Sequence, residues 1–131
     1  MTTGTSKFIA LLTGLLVADG LAHAHHGRGT RYDMDAELEL QGNVRELVWR
    51  NPHVAILIDV ENDSGEAVTG VIEHSNVSTL ARQGYSHNVL RSGDEVTAFI
   101  NPTSSGGAGG LCQRIILEDG SVIFVRGAAV D

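Results

Sequence analysis

Basic residues are scarce in this chain. Lysine and arginine number 9 against 16 aspartates and glutamates, which leaves a net charge of −7. A domain of that sign repels polyphosphate. Aromatic residues make up 5% of the sequence, so there is no ladder of rings on which bases could stack, and no basic stripe runs through it. Nucleic acid is therefore not an expected partner. Cysteine occurs once, as Cys112, so no internal disulfide framework exists. Between Leu111 and Ile115 that thiol reads as a small buried hydrophobe. Catalytic signatures are also missing. The sequence contains no G-x-S-x-G, no H-E-x-x-H and no cysteine beside a plausible base, and a non-enzymatic role is the expectation.

Long apolar runs are absent too, save for Phe8 to Ala18 near the amino terminus. That run is about half of the roughly 20 residues a spanning helix needs. It follows a short polar start carrying Lys7 and precedes Ala22-His23-Ala24, the order of a cleavable secretory signal. An uncleaved anchor is the alternative. No cysteine stands at the processing region after the run, so lipoprotein processing is excluded. The expected organisation is a signal peptide over 1–24, a polar, glycine-containing arm over 25–36 laid across the domain, and one domain over 37–131, periplasmic or secreted. Loss of the signal removes Lys7 and Asp19 together and leaves the net charge at −7.

The mature sequence has the period of two that marks strands. Leu38, Leu40 and Val44 share one parity, whereas Leu47 and Trp49 share the other. A phase change within one strand predicts a bulge near Arg45-Glu46. Asn51-Pro52 interrupts, and a second strand over 53–61 sets Val54, Ile56, Ile58 and Val60 on one face. Asn62-Asp63-Ser64-Gly65 predicts a tight return into a third strand over 66–74. Ser75 or Asn76 can cap a helix carrying Val77, Leu80 and Ala81, which Gly84 ends. A fourth strand over 95–101 precedes Pro102 to Gly110, expected as a flexible rim with too little apolar content to pack. Strands over 111–117 and 121–125 flank Glu118-Asp119-Gly120. Three strands, a helix and two or more strands predict a mainly β fold: a small five-stranded OB-fold-like barrel with one helix between strands 3 and 4.

Ala24-His25-His26, Trp49-Arg50-Asn51-Pro52-His53, Glu73 and Gly93-Asp94-Glu95-Val96 resemble a family of small secreted bacterial proteins with a domain of unknown function, recognised by a W-x-N-P-H segment. The resemblance covers essentially the whole mature chain and implies a signal peptide and a small β-barrel, with no established activity. Relatives usually carry an aromatic two or three residues before the matching Glu. This chain has Gly70-Val71-Ile72 there, so no aromatic-lined pocket carries over.

Histidine is the informative residue type. Cleavage after Ala24 would free an α-amine on His25 that chelates together with the ring Nδ1. His26 and His53 could add imidazoles, and such nitrogen sets suit Cu(II). Cleavage after Ala22 would instead begin the chain His23-Ala24-His25, an X-X-His tripeptide that binds Cu(II) through amine, amides and imidazole. His53 and Glu73 should lie near one end of adjacent strands on the outer face, where a carboxylate can orient an imidazole. A register shifted by one residue would bring His74 beside His53 instead. Asn51 should support the turn before His53, and Trp49 reads as core. Two functions are open: a binding or accessory module that presents Asn51, His53 and Glu73 to a protein or small ligand of the cell envelope, and a copper-binding protein using His25, His26 and His53.

Overall fold

The computed structural model describes residues 31–127. The order is β1 (Leu38–Val48), β2 (Ala55–Glu61), β3 (Ala67–Glu73), α1 (Val77–Arg82), β4 (Glu95–Pro102), β5 (Gly109–Leu117) and β6 (Val122–Ile123). The sheet runs β3-β2-β1-β4-β5-β6, and a parallel pairing of β3 with β5 closes the first five strands into a barrel. Closure removes most of the exposed sheet edge that an open sheet this small would carry.

β1 serves two partners because it bends. Residues 38–43 pair with β4, and residues 43–48 pair with β2. The register slips between Val44 and Glu46, leaving Arg45 as the extra residue. The bulge resolves the parity change in the sequence: Val44 is buried and Leu47 packs against the same core. Val54, just before β2, and Ile56, Ile58 and Val60 within it all point inward, against Ile72, Ala98, Ile100, Cys112 and Ile115. Each fully buried aliphatic side chain contributes roughly 1.5–3 kcal/mol. Burial pushes the Cys112 thiol up to about 12, so it is an unreactive core group.

The helix is capped by Asn76, whose Oδ1 accepts the Thr79 N–H at 2.9 Å. Six residues are too few to hold a helix alone, and α1 is anchored by fully buried Leu80. No helix among the described residues is long and apolar enough to cross a membrane.

Two segments depart from expectation. The glycines at the end of the supposed flexible rim are structural: Gly109 and Gly110 begin β5, are buried, and pair with Val71 and Ile72 of β3. Gly109 has φ +131°, and a Cβ there would meet the Val71 carbonyl oxygen at 2.3 Å. A Cβ on Gly110 would meet the Asn101 carbonyl oxygen at 2.1 Å. Strands this close admit only glycine, so low apolar content marks the closure of the barrel rather than a loose loop. The last strand is also shorter than its period-two pattern, with only Val122 and Ile123 in the ladder. Phe124 leaves it with φ 54° and turns its ring inward, fully buried. Its N–H donates to the Tyr85 hydroxyl at 3.0 Å, and the two rings meet edge-on with centroids 4.8 Å apart. Burial of the ring outweighs a left-handed backbone that costs on the order of 1 kcal/mol.

Candidate functional site

The hairpin register decides between the two arrangements left open by the sequence. Ala55 lies opposite Glu73, and Ile56 opposite Ile72. Beyond the ladder, the His74 N–H donates to the Val54 carbonyl at 2.9 Å, and the Val54 N–H donates to the Ser75 carbonyl at 2.9 Å. Glu73 therefore shares the outer face with Ala55 and, by alternation, with His53, which is exposed. His74 points inward and is 2% exposed.

The two histidines have opposite environments. The Nε2 of His74 is 2.9 Å from the Phe124 carbonyl oxygen, and its Nδ1 accepts the Ser75 N–H at 2.7 Å. That pattern defines the neutral tautomer with the proton on Nε2 and leaves neither nitrogen for a metal. His53 forms no hydrogen bond or ion pair among the described residues and keeps both nitrogens available.

Glu73 is engaged, but not by His53. One carboxylate oxygen accepts from the Tyr32 hydroxyl, and the other lies 3.1 Å from the Arg31 guanidinium. Tyr32 is buried and bridges Thr103 as an antiparallel pair. The Asp33 N–H donates to the Pro102 carbonyl at 2.8 Å, and the Ser104 N–H to the Arg31 carbonyl at 3.0 Å. The strand of chain before β1 is thus fastened along the end of β4 and delivered to Glu73. Sequence reasoning missed Arg31 and Tyr32, and no local signal could have found them, since Tyr32 and Glu73 are 41 residues apart.

Asn51 does not act within its own turn. Its Oδ1 accepts the Val77 N–H at 3.1 Å, satisfying an amide in the first turn of α1 and tying the loop after β1 to the helix. Trp49 is half-buried against the core. His25 and His26 lie outside the described residues. Among the described residues no three His, Cys, Asp or Glu side chains cluster so as to hold a metal.

Around these residues the outer face of β2 and β3 is partly apolar. Leu57 stands opposite Val71, which is 48% exposed, and Glu46 of β1 opposite Leu57. Toward the hairpin the stripe ends at Asp59, whose carboxylate accepts from the Thr69 hydroxyl at 2.7 Å and from Arg45 at 3.0 Å. The hydroxyl first, then the guanidinium, holds the Asp59 carboxyl below its ordinary value. The resulting surface is a shallow apolar stripe with His53 and Glu73 at one end and an ion pair at the other.

A closed five-stranded barrel of the OB type, with an exposed sheet face framed by loops, defines the class of protein. Within that class, residues 14–113 match the Family of unknown function (DUF6152), and the chain belongs to that family. The matched segment runs through the W-x-N-P-H loop and ends inside β5. No curated protein and no solved structure matches the chain.

Proposed function

We propose that this protein is an exported, non-enzymatic accessory module that uses the outer face of β2 and β3 to bind a protein or small ligand of the cell envelope. The observation that carries the reading is exposed Val71, paired with half-buried Leu57, on the face that carries an unengaged His53: an apolar stripe ending in a polar, uncommitted side chain. Export rests on the signal-like amino terminus. A photo-crosslinking residue introduced at Val71 should yield a discrete adduct in intact cells, and the same residue at exposed Ser92 should not. Equal labelling at both positions, or none at Val71, ends this reading.

Copper binding is a second reading, favoured by the Arg31–Glu73 ion pair. Glu73 shares its face with His53, so Arg31, five residues after His26, is tied to the face that carries that imidazole. The five residues from His26 to Arg31 span up to about 17 Å when extended, more than the roughly 7–8 Å between diagonal cross-strand positions. In both processing variants the terminal amine is an essential ligand of the chelate. One Cu(II) should bind per processed chain, and acetylation of the α-amine should abolish tight binding by removing its lone pair. A His53→Ala variant with weakened affinity would place the third nitrogen on the barrel, whereas unchanged affinity would leave the chelate within the arm. Equal Cu(II) affinity of acetylated and free protein removes this reading.

A further inference from the structure

The barrel wall has a split in it. β1 pairs with β4 through residues 38–43, but its ladder with β2 starts only at Asn43, opposite Asp59. On the facing side, Val60 and Glu61 of β2 pair with Val68 and Ala67 of β3. Between residues 38–41 and residues 60–61, therefore, two strand edges face each other with no ladder between them; at Gly42 the strands already meet, since a Cβ there would lie 2.2 Å from the Asp59 carbonyl oxygen. The gap opens into a cleft of ≈ 880 Å³. Leu38, Leu40, Val60 and Val68 form its apolar floor, and Leu38 remains 41% exposed.

The rim is acidic. Glu39, Glu61 and Asp63 line the cleft, and none of the described arginines does. Glu61 and Asp63 form no ion pair among the described residues. The hairpin that carries them is organised by Asn62, whose Oδ1 accepts the N–H groups of Ser64 and Glu66, both at 2.9 Å. These two carboxylates are thus not needed to shape the turn.

A free strand edge is a template for another strand. Side chains of an added strand alternate as those of β1 do. One set would meet Leu38, Leu40, Val60 and Val68, and the other would meet Glu39 and Glu61. A second copy of this chain would bring carboxylates against carboxylates, so the same rim disfavours self-pairing and selects a basic strand. We propose that an extended segment of a partner protein, alternating apolar and basic side chains, adds as a strand to the β1 edge at residues 38–41. This site is separate from the Leu57–Val71 stripe and stands or falls independently of it.

The test uses the full processed protein and three end-blocked seven-residue peptides. The first alternates valine with lysine, the second replaces lysine by glutamate, and the third is the lysine peptide N-methylated at alternate residues, the ones whose N–H groups would face β1. The lysine peptide should bind, with amide shift changes concentrated at residues 38–41 and 60–63 and an affinity that falls with added salt. The other two should bind at least about tenfold more weakly. Glu61→Lys combined with Asp63→Lys should weaken the lysine peptide by about tenfold, two exposed ion pairs being worth up to roughly that factor, while leaving the spectrum of the free protein folded. No binding, equal binding of the glutamate or methylated peptide, or shift changes confined to residues 55–57 and 71 would each overturn the proposal. So would contacts in the free protein between Leu38 or Leu40 and residues 1–30 or 128–131, because the chain would then fill its own cleft.

Discussion

The two ends of the barrel are finished differently. At the helix end, Phe124 fills the interior against Tyr85 and His74, and each polar atom drawn in with it has a partner: its N–H on Tyr85, its carbonyl on His74, and the second His74 nitrogen on Ser75. At the hairpin end, Leu38 and Leu40 line an open cleft whose rim carboxylates Glu61 and Asp63 form no ion pair among the described residues. The contrast separates stability from recognition. Polar groups that are buried and fully paired hold a fold together. Apolar groups left half-exposed beside unpaired charges and a free strand edge cost stability unless something covers them.

The comparison breaks most sharply at Phe124. Phe124→Ala should destabilise by about 3–5 kcal/mol, since it empties the closed end and removes the edge-on ring contact. Urea unfolding measures this directly, and a loss under about 1 kcal/mol would mean that the end is not closed by this ring. Gly109→Ala comes next, at about 2–4 kcal/mol, from the left-handed backbone and the contact with the Val71 carbonyl. Amide exchange should accelerate at residues 71–73 and 109–111 ahead of the rest of the barrel. Trp49→Ala should cost about 1–3 kcal/mol, less than a fully buried indole would, because Trp49 is half-buried.

At the other end, Leu38→Ser should change stability by less than about 1 kcal/mol, as the side chain is already 41% exposed. A larger loss would show that the cleft is closed in solution. The smallest effect concerns acid. The folded carboxyl of Asp59 lies below its unfolded value, so what it contributes is present above the ordinary aspartate range of about 4 and is lost as pH falls through the lowered folded value. Urea midpoints followed from about pH 5 to about pH 2 should fall slightly less steeply for Asp59→Asn, and an identical slope would remove the carboxyl from the acid response.

Much of the barrel was legible because its signals are local. Alternation along β2 depends only on which residues are apolar, and the parity change around Arg45 announces a bulge wherever the strand is placed. The Asn76 cap and the Asn62 turn are likewise contained within a few residues. The candidate site was legible in part: His53 and Glu73 do share the outer face, as the sequence allowed. That His74 instead turns inward was undecidable, because one residue of register exchanges the two faces and nothing local fixes it.

By itself, then, the amino-acid sequence determined the elements, their order and the mainly β class, since each follows from short-range periodicity and turn chemistry. Tertiary structure alone decided the rest. Gly109 and Gly110 read as loop until β3 arrives beside them, Asn51 serves a helix 26 residues away, and Glu73 is taken by Arg31 and Tyr32 rather than by the histidine nearest it on the face. Each of these depends on which distant segments approach, and closure of the barrel brings them together by burying apolar surface that no single strand can bury alone.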